Sequence, residues 1–219
     1  QQQRVALGRA LLSQPDLLLM DEPLASLDAE LKSRILTYLQ QVVRRWSIPV
    51  LLVSHSQTEV RRVADWVVMI EQGRVVAAGK PDDALGTAEA LRLKDATGPI
   101  NLLKIEQVEP HVDHFHGVVG GQRVYVPGSG PVAGATALVK FTPRDVVLSR
   151  HDVAGLSARN RLRGKVRQIV RLEDAVFAAI DLGQILWAEV TAEAVSEMGL
   201  EPGSEVVCLL KARSLEVVG

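Results

Sequence analysis

Two carboxylates at the end of an apolar run are the strongest candidates for chemistry in this chain. The run covers residues 17–20, and Asp21 and Glu22 follow it directly. A continuous apolar run predicts a strand buried on both faces, as in a parallel sheet. The carboxylates then lie at the carboxyl end of that strand, the edge where open α/β sheets bind ligands. There Asp21 suits a Mg²⁺ ion on a nucleotide phosphate, and Glu22 suits the polarisation of an attacking water.

A histidine follows a second apolar run in a similar position. Residues 50–53 read Val-Leu-Leu-Val, and His55 comes two residues later. A histidine that follows a buried strand, as Asp21 does, is a poor candidate for a core residue. It could instead reach a γ-phosphate and respond to its presence.

These segments, together with their flanks, resemble the ATP-binding cassette family of transporter ATPases. The order and spacing of four motifs carry the resemblance: Gln1 matches the last residue of the signature motif, residues 17–21 the Walker B strand, Glu22 the catalytic glutamate, residues 26–28 the D-loop and His55 the switch histidine. The resemblance implies ATP with Mg²⁺ as cofactor. It implies catalytic roles for Glu22 and His55, and nucleotide or Mg²⁺ contacts for Gln1, Asp21 and Asp28.

Other motifs of that family do not occur in the sequence. It contains no G-x-x-x-x-G-K-[ST] phosphate loop, no glutamine loop and no Ser-Gly-Gly of the signature. The chain begins inside the signature without an initiator Met, so we expect it to be the C-terminal part of a longer protein. The backbone cradle and lysine that hold the β- and γ-phosphates are missing. We therefore expect ATP hydrolysis by the full-length parent and none by this piece alone.

Composition excludes several other classes of function. A net charge of −1 gives no electrostatic case for nucleic-acid binding, and an aromatic content of 4% makes base-stacking surfaces improbable. No apolar stretch approaches the roughly 20 residues needed to span a bilayer. Cys208, the only cysteine, lies in an apolar run and is assigned to the core. A disulfide framework and a cysteine zinc site are therefore excluded.

Periodicity divides the chain into an α/β part and a β part. Residues 1–80 are expected to be half of a P-loop NTPase-type βαβ domain, and residues 81–99 a connecting segment. The predicted elements are helices over 4–13, 29–46 and 58–64, strands over 16–20 and 50–53, and a hairpin of strands 66–70 and 74–78.

From residue 100 onward, short β-type runs are separated by glycine and proline. Residues 121–126 resemble residues 183–188, and residues 134–140 resemble residues 203–211 with two residues inserted. We infer two related OB-like units, over 100–155 and 156–219, although each half could contribute strands to the other. A short helix over 192–198 is predicted in the second copy.

The second β unit resembles the small TOBE/Mop-like oxyanion-binding domain of molybdate proteins. The resemblance rests on Ser-Ala-Arg-Asn at 157–160, on residues 187–191, and on Lys211. It implies a pocket for molybdate or tungstate, formed between two copies of the domain. The predicted ligands offer hydroxyl, guanidinium, ammonium, amide and backbone N–H donors, namely Ser157, Ala158, Arg159, Asn160, Thr191 and Lys211. The family often has serine after the lysine, where this chain has Ala212, so one ligand is in doubt.

Three histidines show metal-ligand spacing, namely His111, His114 and His116. His114 and His116 would share one strand face, but no carboxylate or cysteine is clearly placed to complete a site. A solvated strand is the favoured interpretation, and we expect no protein-only metal site.

The resemblances together predict the ATPase subunit of a bacterial molybdate importer, peripheral on the cytoplasmic face of the inner membrane. Its implied partners are a second ATPase subunit, a transmembrane permease and, indirectly, a periplasmic solute-binding protein, with no nucleic acid. One alternative is an importer ATPase for sulfate, a sugar or a polyamine. Another, for this piece alone, is a non-enzymatic oxyanion-binding module.

Overall fold

The computed structural model describes residues 5, 8–10, 12–13, 15–25, 27, 29–92, 99–172 and 175–218. The chain forms two compact units, over residues 1–89 and residues 90–219. Within the described residues, no helix is long and apolar enough to cross a membrane.

The first unit alternates strands and helices. Its elements are β1 (Leu18–Asp21), α1 (Ala29–Trp46), β2 (Val50–Val53), α2 (Gln57–Val63), β3 (Val67–Glu71), β4 (Arg74–Gly79) and α3 (Pro81–Ala84), and α4 (Ala88–Arg92) spans the boundary between the units. Strands β1 and β2 pair in parallel, and β3 and β4 form an antiparallel hairpin. The predicted βαβ arrangement is therefore confirmed, and the bounds of α1 and β2 match the expectation.

Helix α1 covers one face of the β1–β2 pair. Leu39 is buried in one cluster with Leu18 and Met20 of β1 and with Ile48, which leads into β2. The helix has apolar residues at helical spacing, so one stripe can pack on the sheet while its charged residues stay in water. This packing fixes where the carboxyl ends of both strands lie.

The other face of the β1–β2 pair is open in this chain. Leu19 is 65% exposed and Leu51 is 60% exposed, while Leu18 and Met20 are buried. The expectation that these strands are buried on both faces is therefore wrong for the described residues. Because strand side chains alternate between faces, a single covering helix can bury only every second residue.

The second unit is built almost entirely of strands. After α4 its elements are β5 (Asn101–Pro110), β6 (His114–Val119), β7 (Gln122–Pro127), β8 (Ala137–Phe141), β9 (Val146–Ser149), β10 (Asn160–Arg171), β11 (Val176–Asp181), β12 (Ile185–Val190), α5 (Ala192–Glu197), β13 (Glu205–Leu210) and β14 (Glu216–Val217). Short 3₁₀ turns precede β9 and β14.

The strands form two curled, OB-like sheets that exchange one strand each. The first sheet has the order β14-β8-β5-β6-β7, and the second has the order β12-β11-β10-β13-β9. Strand β9 follows the first sheet in the chain but pairs with β13, and β14 returns to pair with β8. The possibility that each half contributes strands to the other is confirmed. The predicted OB-like fold with an internal repeat is also confirmed.

Two buried asparagines join the sheets in a reciprocal way. The side-chain amide of Asn101 donates to the carbonyl of Trp187 and accepts from its N–H, both at 2.8 Å. The amide of Asn160 does the same to Tyr125, at 2.9 and 2.7 Å. Since Trp187 and Tyr125 occupy matching places in the sequence repeat, the two clamps are related by the repeat. They satisfy backbone groups at the edges of both sheets.

Two glutamines repeat this pattern nearer the surface. Gln122 bonds the carbonyl and N–H of Arg163 at 2.8 and 2.7 Å. Gln184 bonds the carbonyl and N–H of Lys104 at 2.8 and 2.9 Å. Close by, a Cβ on Gly120 would lie 1.6 Å from the Leu182 carbonyl oxygen, so only glycine fits there.

Candidate functional site

The structure brings the predicted catalytic residues to one edge of the β1–β2 pair. Asp21 is in register with Val53 at the ends of the two strands. The N–H of Glu22 donates to the carbonyl of Val53 at 2.9 Å. Ser54 and His55 follow Val53 directly. The parallel register therefore places the side chains of Asp21, Glu22 and His55 beyond the same edge of the sheet.

Glu22 and His55 are in direct contact. Oε1 of Glu22 lies 2.8 Å from Nδ1 of His55 and accepts the His55 backbone N–H at 3.0 Å. Glu22 has a φ of 44°, a left-handed conformation that is uncommon outside glycine. With Nδ1–H held by a carboxylate, Nε2 of His55 is left to act on a ligand. Asp21 has an exposed side chain beside this pair.

A buried carboxylate that sequence reasoning missed holds the loop around His55. Glu59 is 5% exposed and accepts from Ser54 Oγ at 2.9 Å and from Lys32 Nζ at 3.1 Å. Ser56 caps α2 by accepting the N–H of Glu59 at 3.4 Å. The Ser-x-x-Glu spacing of a helix start was the available signal in the sequence. Gln1 and Asp28 lie outside the described residues.

Two of the predicted oxyanion ligands, Arg159 and Lys211, lie where β10 begins and β13 ends. Asn160 pairs with Leu210, and the same register continued by one residue sets Arg159 opposite Lys211. Ser157, Arg159 and Lys211 are all exposed. Within the described part of the chain, neither Arg159 nor Lys211 forms an ion pair, so both cationic heads can receive an anion.

Two of the other predicted ligands already have structural hydrogen bonds. The side-chain amide of Asn160 is occupied by the backbone of Tyr125, as described above. The hydroxyl oxygen of Thr191 accepts the N–H of Ala194 at 3.1 Å and caps α5, although its O–H can still donate. Ala158 is half-buried in the segment before β10. The strongest donors toward an anion are therefore the charged pair and Ser157.

Tyr125 is a site residue that the sequence did not indicate. The Arg159 guanidinium lies over its ring, 5.0 Å from the centroid. This cation–π contact orients an otherwise mobile side chain. The available signal was the match of Tyr125 to Trp187 in the repeat, which marks a position where the two sheets meet.

The first half of the second unit lacks matching donors. Asn101 pairs with Phe141 as Asn160 pairs with Leu210, so Thr142 is the counterpart of Lys211. The sequence repeat had instead matched Lys140 with Lys211 by assuming two inserted residues. This is wrong, because Gly134 precedes Phe141 by the same number of residues as Gly203 precedes Leu210, so the segments align without an insertion. Lys140 pairs with Glu216 at 3.2 Å.

Cys208 lies fully buried in the core of the second unit, as expected. Burial raises the pKa of its thiol to about 12. The neutral thiol therefore packs as a small apolar side chain.

Comparison with known proteins gives three groups of similarity. The TOBE domain family matches residues 156–217. Proteins named molybdenum import ATP-binding protein ModC are similar over nearly the whole chain. The one from Yersinia pestis is 35% identical over 98% of this chain and 60% of its own length. Those from Rhizobium etli and Pseudomonas fluorescens are 35% and 37% identical, over 99% and 97% of this chain and 61% of their lengths.

A solved structure shows a weaker likeness. The cytoplasmic molybdate-binding protein ModG, in a form with molybdate bound, is 23% identical with a TM-score of 0.45, over 54% of this chain and 94% of its own. The chain spans about 60% of the length of the ModC relatives. It is thus similar over nearly all of its residues to bacterial molybdenum import ATP-binding proteins, and its residues 156–217 match the TOBE domain family.

Proposed function

We propose that this chain works as part of the ATPase subunit of a bacterial molybdate importer, in which ATP hydrolysis drives oxyanion uptake. The observation that carries the proposal is the contact between Glu22 and His55 at the end of a parallel strand pair. The similarity to ModC proteins over 98% of the chain supports it further.

The residues at this edge divide the chemistry between them. The exposed Asp21 carboxylate suits a hard cation such as Mg²⁺, which would neutralise phosphate charge. Glu22 orients and polarises water, and its hydrogen bond to Nδ1 holds the His55 ring so that Nε2 faces the phosphate. In the same proposal Gln1 and Asp28 contact nucleotide. The 219 residues contain no phosphate loop, so turnover requires residues that this sequence does not include.

The second unit would recognise the oxyanion. Arg159 and Lys211 supply positive charge and Ser157 a hydroxyl, with Thr191 and the backbone of Ala158 as further donors. Asn160 contributes by holding Tyr125, on which the Arg159 guanidinium lies. Molybdate or tungstate would bind here, and a dimer would bring two such surfaces together.

The assembly follows from the same proposal. Two ATPase subunits would close head to tail around ATP, with Gln1 facing the partner's γ-phosphate. A membrane permease would hold the pair at the cytoplasmic face, and a periplasmic binding protein would deliver the solute.

Transport by the full-length parent tests this function. In vesicles containing the parent, its permease and binding protein, we expect ATP-dependent uptake of molybdate that Glu22→Gln abolishes. Uptake of sulfate, a sugar or a polyamine in place of molybdate would favour the alternative importer. Molybdate binding by the chain without any uptake in the assembled system would favour a binding module.

A further inference from the structure

The turn between β5 and β6 gathers three histidines that the proposed function does not use. His111 and His114 stack with ring centroids 4.5 Å apart, and His116 meets both rings edge-on at 5.2 and 5.0 Å. One nitrogen from each ring lies within 4.8 Å of the other two. The His111 N–H donates to the His114 carbonyl at 2.8 Å, so the hairpin itself fixes the positions of these two residues.

A carboxylate orients one of the three rings. Oδ1 of Asp113 lies 2.7 Å from Nδ1 of His114. A carboxylate on one ring nitrogen is the usual support of a metal-binding histidine, because it fixes the tautomer and makes the other nitrogen a stronger ligand.

The third histidine carries an unsatisfied nitrogen. Nδ1 of His116 is buried and has no hydrogen-bond partner among the residues that the structure describes. A buried polar nitrogen without a partner is unfavourable unless something supplies one. A metal ion bound to the cluster would supply that partner.

Neighbouring charges favour a cation over an anion at this turn. Asp113 is exposed and beside His114, and Glu109 pairs with Arg123 at 3.3 Å, which reduces the field of that guanidinium. Arg159 lies over the Tyr125 ring, which in turn stacks on His114 with ring centroids 4.6 Å apart. Imidazole nitrogens next to a carboxylate suit a transition-metal cation.

We propose that His111, His114 and His116 bind one divalent transition-metal ion of the Zn²⁺ class, with a fourth position open to water. Imidazole suits Zn²⁺, Ni²⁺ and Cu²⁺, whereas Mg²⁺ prefers oxygen ligands. Tetrahedral Zn²⁺ with Zn–N bonds of about 2.0–2.1 Å needs nitrogens about 3.4 Å apart. The nitrogens lie up to 4.8 Å apart and the His111 and His114 rings stack at 13°, so the exposed His111 ring must turn for its lone pair to reach the same ion.

The proposal departs from the expectation of a solvated strand without a metal site. His114 and His116 share one face of β6, as expected, but both are half-buried. The sequence had shown no carboxylate clearly placed beside these histidines. In the structure that carboxylate is Asp113, one residue before His114. The bound ion would tie the β5–β6 turn to β6 and stabilise the second unit.

Calorimetry on the chain, freed of metal and without a polyhistidine tag, tests the site with Zn²⁺ and Ni²⁺. We expect one ion per chain. Asp113→Asn should weaken binding about 10–100-fold, as for other outer-shell partners, and His111→Ala should weaken it at least as much. His151→Ala, which changes an exposed histidine elsewhere in the unit, should bind as the unchanged chain does. Bound Co²⁺ should show the visible absorption of a tetrahedral site, lost in His111→Ala.

Circular dichroism of each variant checks that the fold is kept, which is expected because His111 and Asp113 are exposed. No saturable binding of either ion, or equal affinity in His111→Ala and the unchanged chain, overturns the proposal. Molybdate binding that His111→Ala removes in the absence of metal would overturn it in favour of an anion site.

Discussion

Replacing Asn101 by alanine removes both hydrogen bonds that its amide makes with the backbone of Trp187. Asn101 is 2% exposed and Trp187 3% exposed, so water does not readily replace the amide. A buried polar group left without a partner costs about 1–3 kcal/mol. With two such groups, Asn101→Ala should lower the free energy of unfolding of the second unit by about 2–6 kcal/mol.

Gln184 provides the matched control, because its amide makes the same pair of bonds to the backbone of Lys104. Lys104 is exposed, so water can take over after Gln184→Ala, and the loss should stay below about 1 kcal/mol. Each variant loses two hydrogen bonds, so the difference between their losses of unfolding free energy reports the effect of burial alone.

Urea unfolding followed by the fluorescence of Trp187 measures both effects. Trp46→Phe and Trp66→Phe in every variant leave Trp187 as the sole tryptophan, so the signal reports the second unit. The slope of free energy against urea should be unchanged while the midpoint falls. Equal losses for the two variants would refute the idea that the buried asparagine clamp holds the sheets together.

Further outcomes follow from the sites and the core. In the full-length parent, Glu22→Gln should abolish turnover in a phosphate-release assay yet leave nucleotide binding intact and trap the closed dimer, because only the water-orienting group is lost. His55→Ala in the same parent should lower turnover about 10²–10⁴-fold while nucleotide affinity changes little; an equal fall in affinity would make His55 a binding or structural group. The 219-residue chain by itself should show no ATP hydrolysis above background, and activity that Glu22→Gln removes from it would contradict this. A thiol reagent at about pH 8 should label Cys208 only after unfolding, since burial raises the pKa of its thiol to about 12.

Local patterns predicted the first unit well. Helix α1 and strand β2 have the expected bounds because amphipathic spacing and a short apolar run are properties of the segment itself. The burial of β1 and β2 was predicted less well, since a side chain's exposure depends on what packs above the strand. Leu19 and Leu51 show this most clearly.

Residues brought together from distant parts of the chain were harder to predict. The match of Lys140 with Lys211 failed because it assumed an insertion, and only the strand register shows that the two segments align without one. Asn160 was assigned to the anion, but its partner Tyr125 lies in another sheet. The contact of Asp113 with His114 was not predicted, because the argument considered only residues two apart on one strand face. In a turn, the side chains of adjacent residues can make contact.

The order of the motifs along the chain indicates an ATPase. The proposed recognition of an oxyanion depends on far fewer residues. The register of β10 and β13 sets Arg159 opposite Lys211, and Tyr125 lies beneath the Arg159 guanidinium. Molybdate is larger than sulfate at equal charge, so donor spacing can discriminate between the two where Coulomb energy cannot.

Calorimetric titration of the chain with molybdate, tungstate and sulfate tests the central claim most directly. We expect molybdate and tungstate to bind more tightly than sulfate. Loss of a charged donor should cost about 1.5–3 kcal/mol, so Lys211→Ala should weaken molybdate binding at least about tenfold with the fold intact. No molybdate heat at millimolar ligand, or equal affinity for sulfate, would contradict the account.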